Sequence, residues 1–227
     1  MATLNLQFRN GHRERLRQKF LDNKLAEYEK LELMLSYVVP RRDMRPLAHA
    51  MLEHFGSLSN ILTAQYNDLI AFPGVGRNIA IFIKLIHDII LTGYRNELVE
   101  RPIFHNDTEL RNYCMWMLAN KNIEEFHVLY MDDDLRLLQD EVHSVGTIDA
   151  SSIYTREIVK HALELNATNI LLVHNHPNDI GNFSAPDIDA TEDLYNTLKP
   201  LGINVRDHLL VTKNKVSSAK DLTLFHF

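Results

Sequence analysis

The sequence predicts a chain of two parts: an all-α segment over residues 1–101, followed by an α/β or α+β layer domain over residues 102–227. Three observations predict it. Apolar residues of the first part recur at helical spacing and are punctuated by glycine and proline. The second part alternates short apolar, strand-like runs with amphipathic helical ones. Between them lies Glu97–Pro102, charged and ending in proline, where a boundary is expected.

Taken in order, Leu25, Tyr28, Leu31, Leu33, Met34 and Leu35 mark one amphipathic stretch, and Leu47, Met51, Leu52 and Phe55 mark a second, stopped by Gly56. Ser57-Leu58-Ser59-Asn60 reads as a turn or cap opening a further helix through Leu62. Phe72-Pro73-Gly74-Val75-Gly76 is a breaker, and Ile79 to Leu91 is apolar and helical. In the second part Leu110–Leu118 reads as helix and Phe126–Met131 as strand. Asp132-Asp133-Asp134 is a turn, and Leu135–Val142 is the returning strand. Ile153–Leu165 is helical, Ile170–Val173 is a short, fully apolar strand, Ser184–Leu198 is helical, and Asn204–Thr212 is a strand.

Composition narrows the function classes. No run approaches about 18 apolar residues, so no membrane span is expected, and the first residues lack the apolar core of a signal peptide. Cys114 is the sole cysteine, which excludes an intrachain disulfide and thiolate-rich metal sites and fits a cytoplasmic protein. The net charge of −6 argues against a dedicated nucleic-acid binder. The charge is uneven, however. Residues 1–101 carry 14 Lys and Arg against 11 Asp and Glu, a balance of +3, and the remainder carries −9. A phosphate-facing surface is therefore expected in the first part.

The chemistry gathers at Ile170-Leu171-Leu172-Val173-His174-Asn175-His176-Pro177. Residues i and i+2 of a strand share a face, so His174 and His176 can aim both imidazoles at one point. Asp187 follows at the start of the next helix. Two histidines and one carboxylate make a three-ligand zinc site whose fourth position stays open to water, the pattern of a catalytic site. Each element also has an ordinary reading. H-x-H strings are common, and Ser184-Ala185-Pro186-Asp187 reads as a capping box, with Ser184 at the N-cap and Asp187 at N3.

The string H-x-H, seven residues, Ser, two residues, Asp runs through His174, His176, Ser184 and Asp187 without a gap. It resembles the JAMM (MPN+) metalloprotease signature. Val173-His174-Asn175-His176-Pro177, Ser144-Val145-Gly146-Thr147, Arg156-Glu157-Ile158-Val159 and Asp207-His208-Leu209-Leu210 resemble the bacterial RadC branch of that superfamily. So do Gly11-His12-Arg13-Glu14-Arg15-Leu16-Arg17 and Phe72-Pro73-Gly74-Val75-Gly76. The resemblance covers nearly the whole chain. It implies a JAB/MPN-like domain with a mixed sheet flanked by helices, zinc as cofactor, and hydrolysis of amide or isopeptide bonds in a peptide or protein substrate. It also implies a helix-hairpin-helix-like first part, in a family historically linked to DNA repair. One departure stands out. Ser-Gly-Asp-Pro usually follows H-N-H-P in the family, and here Asn178-Asp179-Ile180-Gly181 does. The loop length is kept while the lining of the site mouth is changed.

The resemblance also implies a general base, a glutamate one residue ahead of an early apolar strand. Glu124 fills that slot, with Glu125 as the adjacent alternative and a solvated acidic pair as the ordinary reading. Strand parity groups Glu124 with Phe126 and Val128. Ser184 takes the family's oxyanion-donor role. Its capping role competes for its oxygen but not necessarily for its proton. Asp207 and His208 fall on a strand, where His208 reads first as a satisfied strand residue and second as a partner for a metal ligand.

In the first part, Gly74 and Gly76 would let backbone N–H groups approach a phosphate at a helix N-terminus, with Arg77 adding charge. Such DNA contact is independent of base sequence. A plain interhelical turn explains the same residues. Arg13, Arg15 and Arg17 form either a basic face or a solvated one. Three functions compete: a zinc-dependent hydrolase, a DNA-binding module with an auxiliary JAMM-like domain, and a protein-interaction scaffold. The complete ligand set argues against the third.

Overall fold

The computed structural model describes residues 2–102, 107–146, 152–178 and 180–225. The chain divides into two compact units, Met1–Asp88 and Ile89–Phe227.

The first unit is helical: α1 (Ala2–Leu21), α2 (Glu27–Val38), α3 (Arg45–Phe55), α4 (Leu58–Thr63), α5 (Tyr66–Ala71) and the opening turns of α6 (Arg77–Glu100). Leu16, Leu31, Leu35, Met51, Ile61, Leu69 and Ile83 are buried in it. The basic run of α1 is partly committed to this packing. Arg13 donates to the carbonyls of Pro40 and Arg42, beyond the end of α2, where carbonyls lack helical partners. Arg17 pairs with Glu14 at 2.9 Å and lies over the Tyr37 ring. Ser57 caps α4 by accepting from the N–H of Asn60. Helix α5 was not expected from the sequence, because six residues are too few to display a period.

Helix α6 continues past Leu91, through the charged stretch, to Glu100. Arg95, Glu97 and Glu100 are good helix formers. The helix ends just before Pro102, and the residue preceding a proline is pushed out of helical geometry. The later turns place Leu98, with Leu91 and Tyr94, against the second unit's core.

The second unit is built on a five-stranded mixed sheet in the order β2-β1-β3-β4-β5, formed by β1 (Glu125–Met131), β2 (Leu137–Val145), β3 (Asn169–Asn175), β4 (Asn204–Val211) and β5 (Val216–Ser218). All pairings are antiparallel except β3 with β4. Their parallel connection runs through a helix, as parallel neighbours require. Helix α7 (Asp107–Leu118) covers one face, where Tyr113, Cys114 and Leu118 meet Leu129, Leu171, Val173 and Leu209. Helices α8 (Ser152–Glu164) and α9 (Ala185–Leu198) cover the other, where Ile158, Ala162, Leu194 and Leu198 meet Phe126, Val128, Ile170 and Leu172. Every residue of β3 is buried. That explains its unbroken apolar run, since a strand covered on both faces has no polar alternation. Strand β5 escaped the sequence reading because Val-Ser-Ser carries no strand pattern beyond its first residue.

Candidate metal centre

Along β3, Ile170 and Leu172 point into the α8/α9 core. His174 continues that face at the carboxyl end of the strand and is wholly buried. His176 lies one residue past the strand, yet its N–H still donates to the Val211 carbonyl at 3.0 Å, extending the ladder to β4. The i, i+2 spacing thus survives the strand end, and the two Nε2 atoms stand 3.2 Å apart. The His176 Nδ1 is 2.8 Å from the Ile180 carbonyl. A carbonyl only accepts, so Nδ1 carries the proton and a neutral ring leaves Nε2 bare. The unusual loop therefore supplies a backbone oxygen that orients this imidazole. Asn178 shapes the turn by accepting from the Ile180 N–H at 3.2 Å. Asp179 lies outside the described residues.

Asp187 enters from α9. Its Oδ2 is 3.4 Å from the His174 Nε2 and 3.5 Å from the His176 Nε2. The capping box and the cluster use the same atoms. The Asp187 N–H donates to the Ser184 Oγ at 3.3 Å. Asp187 Oδ2 accepts from the Ser184 N–H and from the Ser184 hydroxyl, both at 2.7 Å. The hydroxyl proton is therefore committed to Asp187 in this state, which differs from the expectation that capping would engage the oxygen alone. Burial pushes the Asp187 carboxyl upward. The His174 imidazole and the Ser184 hydroxyl and N–H overcome it and hold the group well below the usual carboxylate range.

The triangle of 3.2, 3.4 and 3.5 Å tests whether a metal fits. Three ligands of a tetrahedron, each about 2.0–2.1 Å from zinc, lie about 3.3–3.4 Å from one another. The donor atoms stand at that spacing with at least one bare lone pair facing inward, so a cation fits. Glu124 belongs to the same cluster. One ligand atom from each of Glu124, His174, His176 and Asp187 lies within 4.8 Å of all the others, the one such group among the described residues. Burial raises the Glu124 carboxyl above its ordinary range, with His174 and His176 opposing and Asp187 adding.

Glu125 points elsewhere. It accepts from the Lys121 ammonium at 2.9 Å and contacts the His127 Nε2 at 3.1 Å. These partners hold its carboxyl low, His127 first, although burial opposes them. Parity thus separates the two acids as the sequence suggested. Asn175, between the two histidines, clamps their neighbourhood. It accepts from the Glu125 N–H at 2.9 Å and donates to the Ile123 carbonyl at 3.2 Å, fixing the chain on both sides of Glu124.

His208 is a satisfied strand residue, and one of its two partners is a candidate ligand. Its Nε2 lies 2.8 Å from the His174 Nδ1, and its Nδ1 lies 2.7 Å from the Thr191 Oγ1. It touches a candidate ligand directly because Leu172, one pleat before His174, pairs with His208 on β4. Asp207 is structural. It accepts from the Ser218 hydroxyl at 2.5 Å and the Lys220 N–H at 3.0 Å, tying β4 to the chain at and beyond β5. Thr191 and Phe183 were missed. The Phe183 ring lies 5.7 Å from His174 and 5.1 Å from His208. Only the i+4 spacing of Thr191 from Asp187 hinted at its position.

Gly74, Gly76 and Arg77 are exposed in the first unit and are not members of this cluster. Gly74 takes φ +90°, and a Cβ there would meet Leu47 at 3.2 Å. Its conformation is required by the turn itself. Among the described residues, no helix is long and apolar enough to cross a membrane.

Comparison with known proteins agrees with this geometry. The family model for the RadC-like JAB domain matches residues 104–224, more than half of the chain. The chain is also 38% identical over 218 residues to the UPF0758 protein FN0909 of Fusobacterium nucleatum, covering 92% of this chain and 94% of that protein. With the sheet, the flanking helices and the histidine-carboxylate cluster in place, the chain belongs to the RadC family.

Proposed function

We propose that this protein is a zinc-dependent hydrolase of the JAMM type, acting on amide or isopeptide bonds of a peptide or protein substrate. In this reading His174, His176 and Asp187 hold the metal, Glu124 is the general base and Ser184 the oxyanion donor. The observation that carries it is the convergence of Glu124, His174, His176 and Asp187, with ligand-to-ligand spacings that suit a tetrahedral ion. A bound zinc ion would lower the pKa of a water molecule and polarise the scissile carbonyl. Glu124 takes the proton of the attacking water and hands it to the leaving nitrogen. Its raised carboxyl pKa suits both halves of that transfer. The Ser184 hydroxyl turns from Asp187 Oδ2 to the carbonyl oxygen as negative charge develops there. The Ser184 N–H stays on Oδ2 and keeps the carboxylate in place.

Elemental analysis tests the reading. Wild type should carry one metal per chain and His176→Ala markedly less. Equal content in both would refute the ligand assignment. A panel of peptides and ubiquitin-like conjugates then tests hydrolysis.

A second reading concerns DNA. The exposed Gly74, Gly76 and Arg77 stand before and at the start of the 24-residue α6, where backbone N–H groups and the helix dipole favour a phosphate. It predicts sequence-independent binding that weakens steeply with salt as counterions are released. Absence of binding by the full chain at low salt would leave the hairpin a structural turn.

A further inference from the structure

Thr191, His208 and His174 form an unbroken contact chain that starts on the backbone of Asp187. The Thr191 Oγ1 is 2.6 Å from the Asp187 carbonyl oxygen. A carbonyl has no proton to give, so the single hydroxyl proton of Thr191 points to it. Thr191 can then only accept from the His208 Nδ1 at 2.7 Å, which places a proton on that nitrogen. The two nitrogens of His208 meet Thr191 and His174, neither an anion. A full charge on a ring only 1% exposed would go uncompensated. The ring is therefore neutral and its Nε2 is bare. At 2.8 Å from the His174 Nδ1, that bare nitrogen accepts, and His174 carries its proton on Nδ1. That leaves the His174 Nε2 as the nitrogen turned away from the pair. It is the atom that faces the His176 Nε2 and Asp187 Oδ2.

We infer that Thr191 and His208 are a positioning pair that fixes the ring orientation of His174 through its Nδ1, turning Nε2 toward a divalent cation. Because the chain begins on the carbonyl of Asp187, it also fixes one ligand relative to another: a shift of α9 is transmitted to the imidazole on β3. Thr191, His208 and His174 are each at most 1% exposed, so water does not compete with this order. A threonine that merely bonds back to the preceding helical turn would account for the first contact but not for the next two. The inference rests on the reading of His174 as a metal ligand.

The test has two readouts. In full-length, metal-free protein labelled with ¹⁵N-histidine, long-range ¹H–¹⁵N NMR distinguishes imidazole tautomers directly. His174 and His208 should both carry the proton on Nδ1. A His174 Nδ1 that carries no proton would overturn the inference, and this measurement needs no variant to fold. Zinc affinity is then measured by competition with a chromophoric chelator. Thr191→Val keeps the shape but removes the hydroxyl, and should weaken binding about 10- to 100-fold, the usual effect of losing an outer partner. Thr191→Ser should restore it to near wild type. Unchanged zinc affinity in a folded Thr191→Val would refute the pair's role. If wild type shows the predicted tautomers and yet binds no zinc, the ligand reading fails while the proton order stands. The reverse result leaves the metal site intact and removes the positioning pair.

Discussion

Replacing Glu124 and Glu125 separately by glutamine gives the sharpest test of the chemistry, because one strand step sends the two side chains to opposite environments. Glu124 clusters with His174, His176 and Asp187, and Glu125 with Lys121 and His127. A glutamine at 124 keeps the shape but cannot take a proton from water. General acid–base assistance is worth about 10²- to 10⁴-fold, or roughly 2.7–5.4 kcal/mol of barrier at about 1.36 kcal/mol per tenfold. The rate should fall by that factor while bound metal, carried by three other side chains, is unchanged. A glutamine at 125 should do the converse. It loses the charge on two contacts at 2.9 and 3.1 Å, and the Lys121 side chain is a third exposed, so solvent already weakens that pair. A cost of about 1–2 kcal/mol follows, a fall of roughly 2–8 °C in melting temperature, with the rate per metal-loaded chain preserved. Turnover, metal content and melting temperature are measured on the same preparations. Loss of activity in Glu125→Gln with full activity in Glu124→Gln would refute the assignment. Loss of metal in Glu124→Gln would make Glu124 a ligand rather than the base.

Three further outcomes are expected. Zinc at about 100 times its Kd should stabilise the wild type by roughly 2.7 kcal/mol, or about 5–11 °C, and His176→Ala should show little of that shift in a thermal melt. Ser184→Ala should retain metal and lose about 10²- to 10³-fold in rate, while the lost cap costs about 1 kcal/mol in a denaturant titration; a rate within twofold of wild type would remove Ser184 from the chemistry. Gly74→Ala should destabilise by about 1–2 kcal/mol, since its φ of +90° and the 3.2 Å approach to Leu47 both oppose a Cβ, and an unchanged denaturation midpoint would contradict the turn geometry.

The second part of the chain was legible because its signals are local. The apolar run Ile170–Val173 is a doubly buried strand and therefore needs no alternation. The i, i+2 spacing of His174 and His176 survives the strand end, and the Ser184–Asp187 box caps α9 as the residue types require. Glu124 was separable from Glu125 by parity alone, given the strand. What stayed hidden depends on register between strands distant in sequence. Nothing near His208 says that β4 will pair in parallel with β3 and set it beside Leu172, under His174. Nothing near Asn175 says that its amide will reach Ile123 and Glu125. The extension of α6 was hidden for another reason: the charged stretch Glu97–Pro102 reads as a boundary, although charge on a helix face costs nothing where that face meets water.

The helix cap and the candidate metal cluster draw on the same residues, Ser184 and Asp187, and this bears on how the cluster is held. A cap aligns a side chain with the first N–H groups of a helix, which also fixes that side chain in space. Here the N3 carboxylate oxygen engaged by the cap, Oδ2, is the atom that faces both imidazoles. The same helix then sends Thr191, one turn later, to accept from His208 behind the first imidazole. One helix start thus orients the carboxylate, supplies the hydroxyl in front of it and anchors the proton order behind it. Any change that moves α9 along its axis should therefore disturb metal affinity and rate together, whereas a change at Glu124, just ahead of β1 and flanked by the Asn175 clamp from β3, should alter rate alone. That division follows from which secondary-structure element carries each group.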